Sequence, residues 1–118
     1  MSESKKIIEG KDVYWVNETG LYHRTDGPAV EYGSGTKKWL INGKLHREDG
    51  PAVEYNDGDK EWYQYGKRHR TDGPAIEYSD GDSTWYLNGK YFPSKEKWFK
   101  ALPKERQIAY LFNMEGSK

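Results

Sequence analysis

Three segments carry the side chains that could do chemistry: His23-Arg24-Thr25-Asp26, His46-Arg47-Glu48-Asp49 and His69-Arg70-Thr71-Asp72. Imidazole is a common metal ligand and a general acid–base, so three copies first suggest a zinc site. The spacing argues against it. Equivalent positions in stacked two-strand units lie about 9.6 Å apart at ~4.8 Å per strand, whereas ligands to one zinc sit about 2.1 Å from it. Each imidazole is expected instead to bond a neighbouring corner. The His-x-Thr triplets at His23 and His69 could polarise a phosphate, as paired triplets do in two-histidine phosphoesterases. However, the middle copy reads His46-Arg47-Glu48, and two periods hold the outer pair about 19 Å apart. The Arg-x-Asp triplets at 24/26, 47/49 and 70/72 are one residue too long for a kinase His-Arg-Asp loop, and no Gly-rich phosphate loop, Walker loop or Gly-x-Ser-x-Gly elbow accompanies them. No catalytic residue, metal ligand or cofactor is assigned, and the chain reads as a non-enzyme.

What positions these residues is a repeat. His23–Tyr32 (HRTDGPAVEY), His46–Tyr55 (HREDGPAVEY) and His69–Tyr78 (HRTDGPAIEY) recur with a period of 23 residues, and Trp39, Trp62 and Trp85 each follow their histidine by 16. Trp15 begins a partial copy upstream. A constant period means a repeat architecture whose units are stable only when stacked. Within a unit, Pro51 to Tyr55 alternates as a strand, Asn56-Asp57-Gly58-Asp59 is a turn and Lys60 to Tyr65 is the return strand. A second turn follows at Asn42-Gly43-Lys44, Tyr65-Gly66-Lys67 and Asn88-Gly89-Lys90. The proline of each Gly-Pro corner cannot donate to a ladder, so the ladders should break there.

Composition sets the limits. The 118 residues have room for one domain, and 19 basic against 19 acidic residues leave no net field to draw nucleic acid or anionic membrane. Hydrophobic residues are only 34%, but 15% aromatics separate the chain from disordered ones and imply a core built of rings. With no cysteine, disulfides and thiolate sites are closed, which fits a reducing cytoplasm. No stretch approaches the ~20 apolar residues that span a bilayer. The reading is mainly β: antiparallel β-hairpin repeats over residues 13–92, a flexible N-terminal segment at 1–12, and a C-terminal helical cap and tail at 93–118. The repeat stops where Phe92-Pro93 replaces His-Arg. Ser94 can N-cap one helix and Pro103 suits the first turn of another. Trp98, Phe99 and Leu102, then Ile108, Leu111 and Phe112, recur at helical spacing and are expected to pack as a lid on the last hairpin, with a partner-binding helix as the alternative.

The run Trp39-Leu40-Ile41-Asn42-Gly43-Lys44-Leu45-His46, with Asp57-Gly58 closing the hairpin, resembles the MORN (membrane occupation and recognition nexus) repeat over about residues 13 to 92. It is a variant, because Arg-x-Asp-Gly-Pro stands where Gly-x-Gly follows the histidine. The phrase WYxNGKxHRxDGPAxEYxDG with a helical tail also resembles short tailed-phage proteins. The resemblance implies hairpin arrays that make protein contacts, dimerise and sometimes meet lipid. The function expected is a phage-type accessory protein in the host cytoplasm that binds and inhibits or redirects a host protein, host defence included. A sponge for a small anionic, nucleotide-like ligand and a self-assembling structural or virion component are the alternatives. The contact surface expected is the row Arg24, Arg47 and Arg70 with His23, His46 and His69, together with Tyr63, Tyr86, Trp98 and Phe99, because arginine and aromatic rings concentrate at interface hot spots. The competing reading pairs each arginine with its own Asp26, Asp49 or Asp72 as a staple. Lys67-Arg68-His69-Arg70 beside Tyr63 and Tyr65 is a local basic run that could grip single-stranded nucleic acid, but the zero net charge weighs against that partner.

Overall fold

The computed structural model describes residues 4–116, and these form an antiparallel hairpin array closed by two helices. Strands β1 (Lys5–Glu9) and β2 (Asp12–Val16) pair along their whole length about a turn at Gly10, whose φ is +61°. Residues 5–12 therefore form the opening hairpin of the sheet with the rest of β2, in place of the expected flexible lead-in. The run Lys5-Lys6-Ile7-Ile8-Glu9 can pair along all of Asp12–Val16, which the period-23 pattern did not reveal; residues 1–3 lie outside the described residues. The array continues through β3 (Val30–Glu31), β4 (Lys37–Lys38), β5 (Leu40–Ile41), β6 (Lys44–Leu45), β7 (Val53–Glu54), β8 (Lys60–Glu61), β9 (Tyr63–Gln64), β10 (Lys67–Arg68), β11 (Ile76–Glu77), β12 (Ser83–Leu87) and β13 (Lys90–Phe92).

Nine of these strands form one sheet in the order β1-β2-β3-β4-β7-β8-β11-β12-β13, while β5–β6 and β9–β10 stand apart as small ladders. The break expected at the corners is thus real. The first two units each contribute one hairpin to the long sheet and one to the flank, whereas in the third β12 runs unbroken and pairs with both β11 and β13. Register is set partly by charge: Glu31, Lys37, Glu54, Lys60 and Glu77 lie directly opposite one another, with the sign alternating from strand to strand. Opposite charges at facing positions favour this pairing over a one-residue slip, which would put every side chain on the wrong face.

The interior differs from the expected core of rings. Ala29, Val30, Ala52, Val53, Ala75 and Ile76 recur as buried residues in every repeat, joined by Leu40 in the first and Phe92 at the end of the array, whereas Trp15, Trp39, Trp62 and Trp85 are only partly buried. Neighbouring strands approach at about 4.8 Å, so small and β-branched side chains fill the inside and the rings lie along its margins. Those margins are closed by the arginines. The guanidinium carbon of Arg24 lies 4.2 Å from the centre of the Trp15 ring, and those of Arg47 and Arg70 lie 3.8 Å from Trp39 and Trp62. Arg47 Nε donates to Asp49 at 3.1 Å, and its Nη1 donates to the Pro51 carbonyl and to Glu54, each at 3.0 Å. Arg70 repeats the set on Asp72, Pro74 and Glu77, at 2.7, 3.0 and 2.7 Å.

On its other side each guanidinium lies against the corner glycine. A Cβ added at Gly27, Gly50 or Gly73 would meet the arginine Cζ at 2.8, 3.0 or 2.7 Å. Glycine is required here for close approach, since only a residue without a side chain leaves room for an arginine held flat between ring and backbone.

Helix α1 (Lys95–Ala101) starts as expected, with Ser94 Oγ accepting from the Lys97 N–H at 3.2 Å. Helix α2 (Lys104–Gly116) begins one residue after Pro103, so the proline precedes the first turn, and its carbonyl accepts from Arg106 and Gln107. Trp98 and Leu102 are buried with Phe92, while Phe99, Tyr110 and Trp85 pack around them. The second apolar set does not join this lid: Ile108, Leu111 and Phe112 are 60%, 53% and 67% exposed, because α2 turns Tyr110 toward the hairpin instead. Among the described residues no helix is long and apolar enough to cross a membrane.

Replacing Arg47 by Ala is expected to lower stability by about 2 kcal/mol, since it removes a half-buried cation–π contact and several hydrogen bonds at once. Arg47→Lys should recover little of this, having no planar fork, and Asp49→Asn, at an exposed position, should cost less than about 1 kcal/mol. Gly73→Ala should cost about 1–3 kcal/mol by displacing Arg70. Urea unfolding of the four variants measures all these differences.

Candidate ligand cleft

Each of the three histidines holds the second turn of its own unit. Nδ1 of His23, His46 and His69 accepts the backbone N–H of Asn42, Tyr65 and Asn88 at 2.9, 3.0 and 2.9 Å. Those three acceptors are what the turns need. Asn42, Tyr65 and Asn88 have φ of +48°, +49° and +49°, and the glycine after each is also positive, the geometry of a type I′ hairpin turn. Such a φ is unfavourable for a tyrosine, and Tyr65 is held in it by the hydrogen bond and by its ring lying 4.2 Å from that of His46. The expectation that each imidazole bonds a neighbouring corner is not met: each bonds the second turn of its own unit, because the two hairpins of a unit fold back to bring that turn beside the histidine.

Accepting at Nδ1 places the imidazole proton on Nε2, which becomes a fixed donor. In the second unit that donor is used, because His46 Nε2 lies 2.6 Å from Glu48. Among the described residues no group of three or more histidines, aspartates or glutamates is placed to hold a metal.

The remaining expected contact residues fall into two places. Tyr63 does not line the cleft beside α2; it sits in the small β9–β10 ladder, where its hydroxyl donates to Glu61 at 2.7 Å. Burial, and then that carboxylate, push the phenol up to about 12. Arg68 lies over both Tyr63 and Tyr86, at 5.8 and 5.4 Å. Trp98 and Phe99 serve the lid: Trp98 is fully buried, its ring centre lies 4.6 Å from that of Trp85 with the planes tilted by 50°, and its Nε1 donates to the Arg70 carbonyl at 3.0 Å. In the preceding unit Gln64 makes the equivalent bond to the Arg47 carbonyl at 2.8 Å. The corresponding residue of the third unit is Leu87, which has no donor, and the cap supplies one.

Because Trp98 anchors the cap beside the third corner, α2 runs past the last two corners and leaves a cleft of about 1100 Å³ between them. Arg47, Arg70, His69 and Lys90 line one wall, and Arg106 and Asn113 line the other. Sequence reasoning missed Lys90 and Arg106: neither belongs to the His-Arg motif, and only the docking of α2 brings them together. Arg47 and Arg70 are consumed by the fold. Arg106 has no ion-pair partner among the described residues. Burial lowers the His69 pKa below its usual value, and the Arg106 charge lowers it further. No protein-family profile, curated protein or solved structure matches this chain.

Protonated His69 could not accept from Asn88. With its folded pKa depressed, the stability its neutral form contributes is complete above the unfolded value of 6.5 and is lost as pH falls through the lower folded value. The wild-type thermal midpoint should therefore fall relative to that of His69→Gln between about pH 7 and about pH 5. A constant difference across that range would contradict this role.

Proposed function

We propose that the chain is a non-enzymatic binding module of the phage accessory type, which binds a host protein and inhibits or redirects it by taking an extended segment of that protein into the cleft. The observation that carries this reading is the cleft itself, walled on one side by repeat corners and on the other by α2. At about 1100 Å³ it lies at the upper end of the ~300–1,000 Å³ usual for small-molecule pockets, and running between two corners and a helix it has room for a length of chain. The residues that first suggested chemistry support a non-enzymatic role, since His46 and His69 hold turns and Arg47 and Arg70 hold corners in successive copies of one clamp. The resemblance to MORN-type arrays points the same way.

A second reading, a sponge for a small anion, draws on the cations gathered at His69, Lys90 and Arg106. Self-association, the third, draws on the exposed Ile108, Leu111 and Phe112.

A photoreactive side chain at Asn113, inside the cleft, should crosslink to the partner in host cells, while one at Ile8 on the distant edge strand should not. Crosslinking from Ile8 alone would overturn the cleft as the partner site. Crosslinks from Asn113 only to a second copy of the chain would favour self-association.

A further inference from the structure

The repeats contain their own example of a ligand for the cleft. In the second unit His46 Nδ1 accepts from the Tyr65 N–H, and its Nε2, 2.6 Å from Glu48, donates to that carboxylate. In the third unit His69 is held in the same way by the Asn88 N–H, but the residue equivalent to Glu48 is Thr71. The Nε2 donor of His69 is thus left without an internal carboxylate, and both His69 and Thr71 line the cleft. Two cations stand on the same walls: Arg106 on α2, and Lys90, whose ammonium lies 5.3 Å from the centre of the Phe92 ring. Three carboxylates, Glu48, Asp49 and Asp72, also line the cleft, and each is paired within its own corner, Asp49 with Arg47, Glu48 with His46 and Asp72 with Arg70.

We infer that His69, Lys90 and Arg106 form a carboxylate subsite, in which an acidic side chain of the bound segment takes on His69 Nε2 the place that Glu48 takes on His46. This rests on the reading of the cleft as the partner site and names what that site selects. An ionised carboxylate between a neutral imidazole donor and two cations makes charge-assisted hydrogen bonds, which are shorter and stronger than neutral ones. The subsite is specific to the third unit. His23 is also followed by threonine at the equivalent position, Thr25, but it lies outside the cleft that α2 walls.

The test is an NMR titration of the full chain with two probes, a blocked hexaglutamate peptide and glutarate, following the His69 imidazole and Arg106 guanidinium resonances. Both should shift with the peptide. Thr71→Glu, which copies the arrangement of the second unit and fills the subsite from within, should weaken peptide binding about tenfold or more, as should Arg106→Glu. Amide spectra of both variants report whether the fold is retained. Binding to Thr71→Glu at wild-type affinity, or a silent His69, would overturn the subsite. A silent His69 while the partner still crosslinks from Asn113 would leave the protein-binding reading standing without it. Glutarate binding as tightly as the peptide would keep the carboxylate chemistry but overturn its assignment to a protein segment.

Discussion

An arginine held flat between a tryptophan ring and a glycine is the contact on which the other features depend. Each guanidinium has two faces and a rim, and all are used: one face on the ring of the preceding hairpin, the other against the corner glycine, and the rim on an aspartate, a proline carbonyl and, most closely in the second and third units, a glutamate of the next strand. A lysine has neither the planarity nor the fork for this. The clamp joins the end of one hairpin to the start of the next across residues close in sequence. It therefore fixes the corner within each copy of the motif, and stacking follows from repetition.

The end of the array obeys the same constraint. Trp85 has no arginine to cover it, because Phe92-Pro93-Ser94 stands where His-Arg-x would be. Trp98 covers it instead and gives the Arg70 carbonyl the hydrogen bond that Gln64 gives that of Arg47. The cap thus imitates the side chains of a further unit while running in a different direction. That divergence opens the cleft, and the cations gathered in it, on α2 and on the last hairpin, have no part in the clamp.

Much of the architecture was legible because the repeat is almost exact. The period gave the hairpins, the Asn-Gly and Asp-Gly pairs gave the turns, and Phe92-Pro93 gave the end of the array. The role of the arginines was open in the sequence, since Arg24, Arg47 and Arg70 suit an exposed hot-spot row as well as a staple. Only the approach of Gly27, Gly50 and Gly73 to their side chains shows how far each is absorbed. The opening hairpin was missed because Lys5–Glu9 shares no motif with the units. Ile108, Leu111 and Phe112 have a helical spacing that is compatible with burial, but where α2 turns depends on the seat of Trp98. For the same reason Arg106 could not be placed beside His69 before the helices were docked.

Solvent exchange of the arginine Nε protons, followed by NMR in the free protein, tests most directly whether the repeat arginines belong to the fold and Arg106 to the surface. The Nε protons of Arg24, Arg47 and Arg70, each bonded to its own aspartate, should exchange slowly, and that of Arg106 rapidly. Equally rapid exchange at all four would contradict the clamp and return the arginine row to solvent.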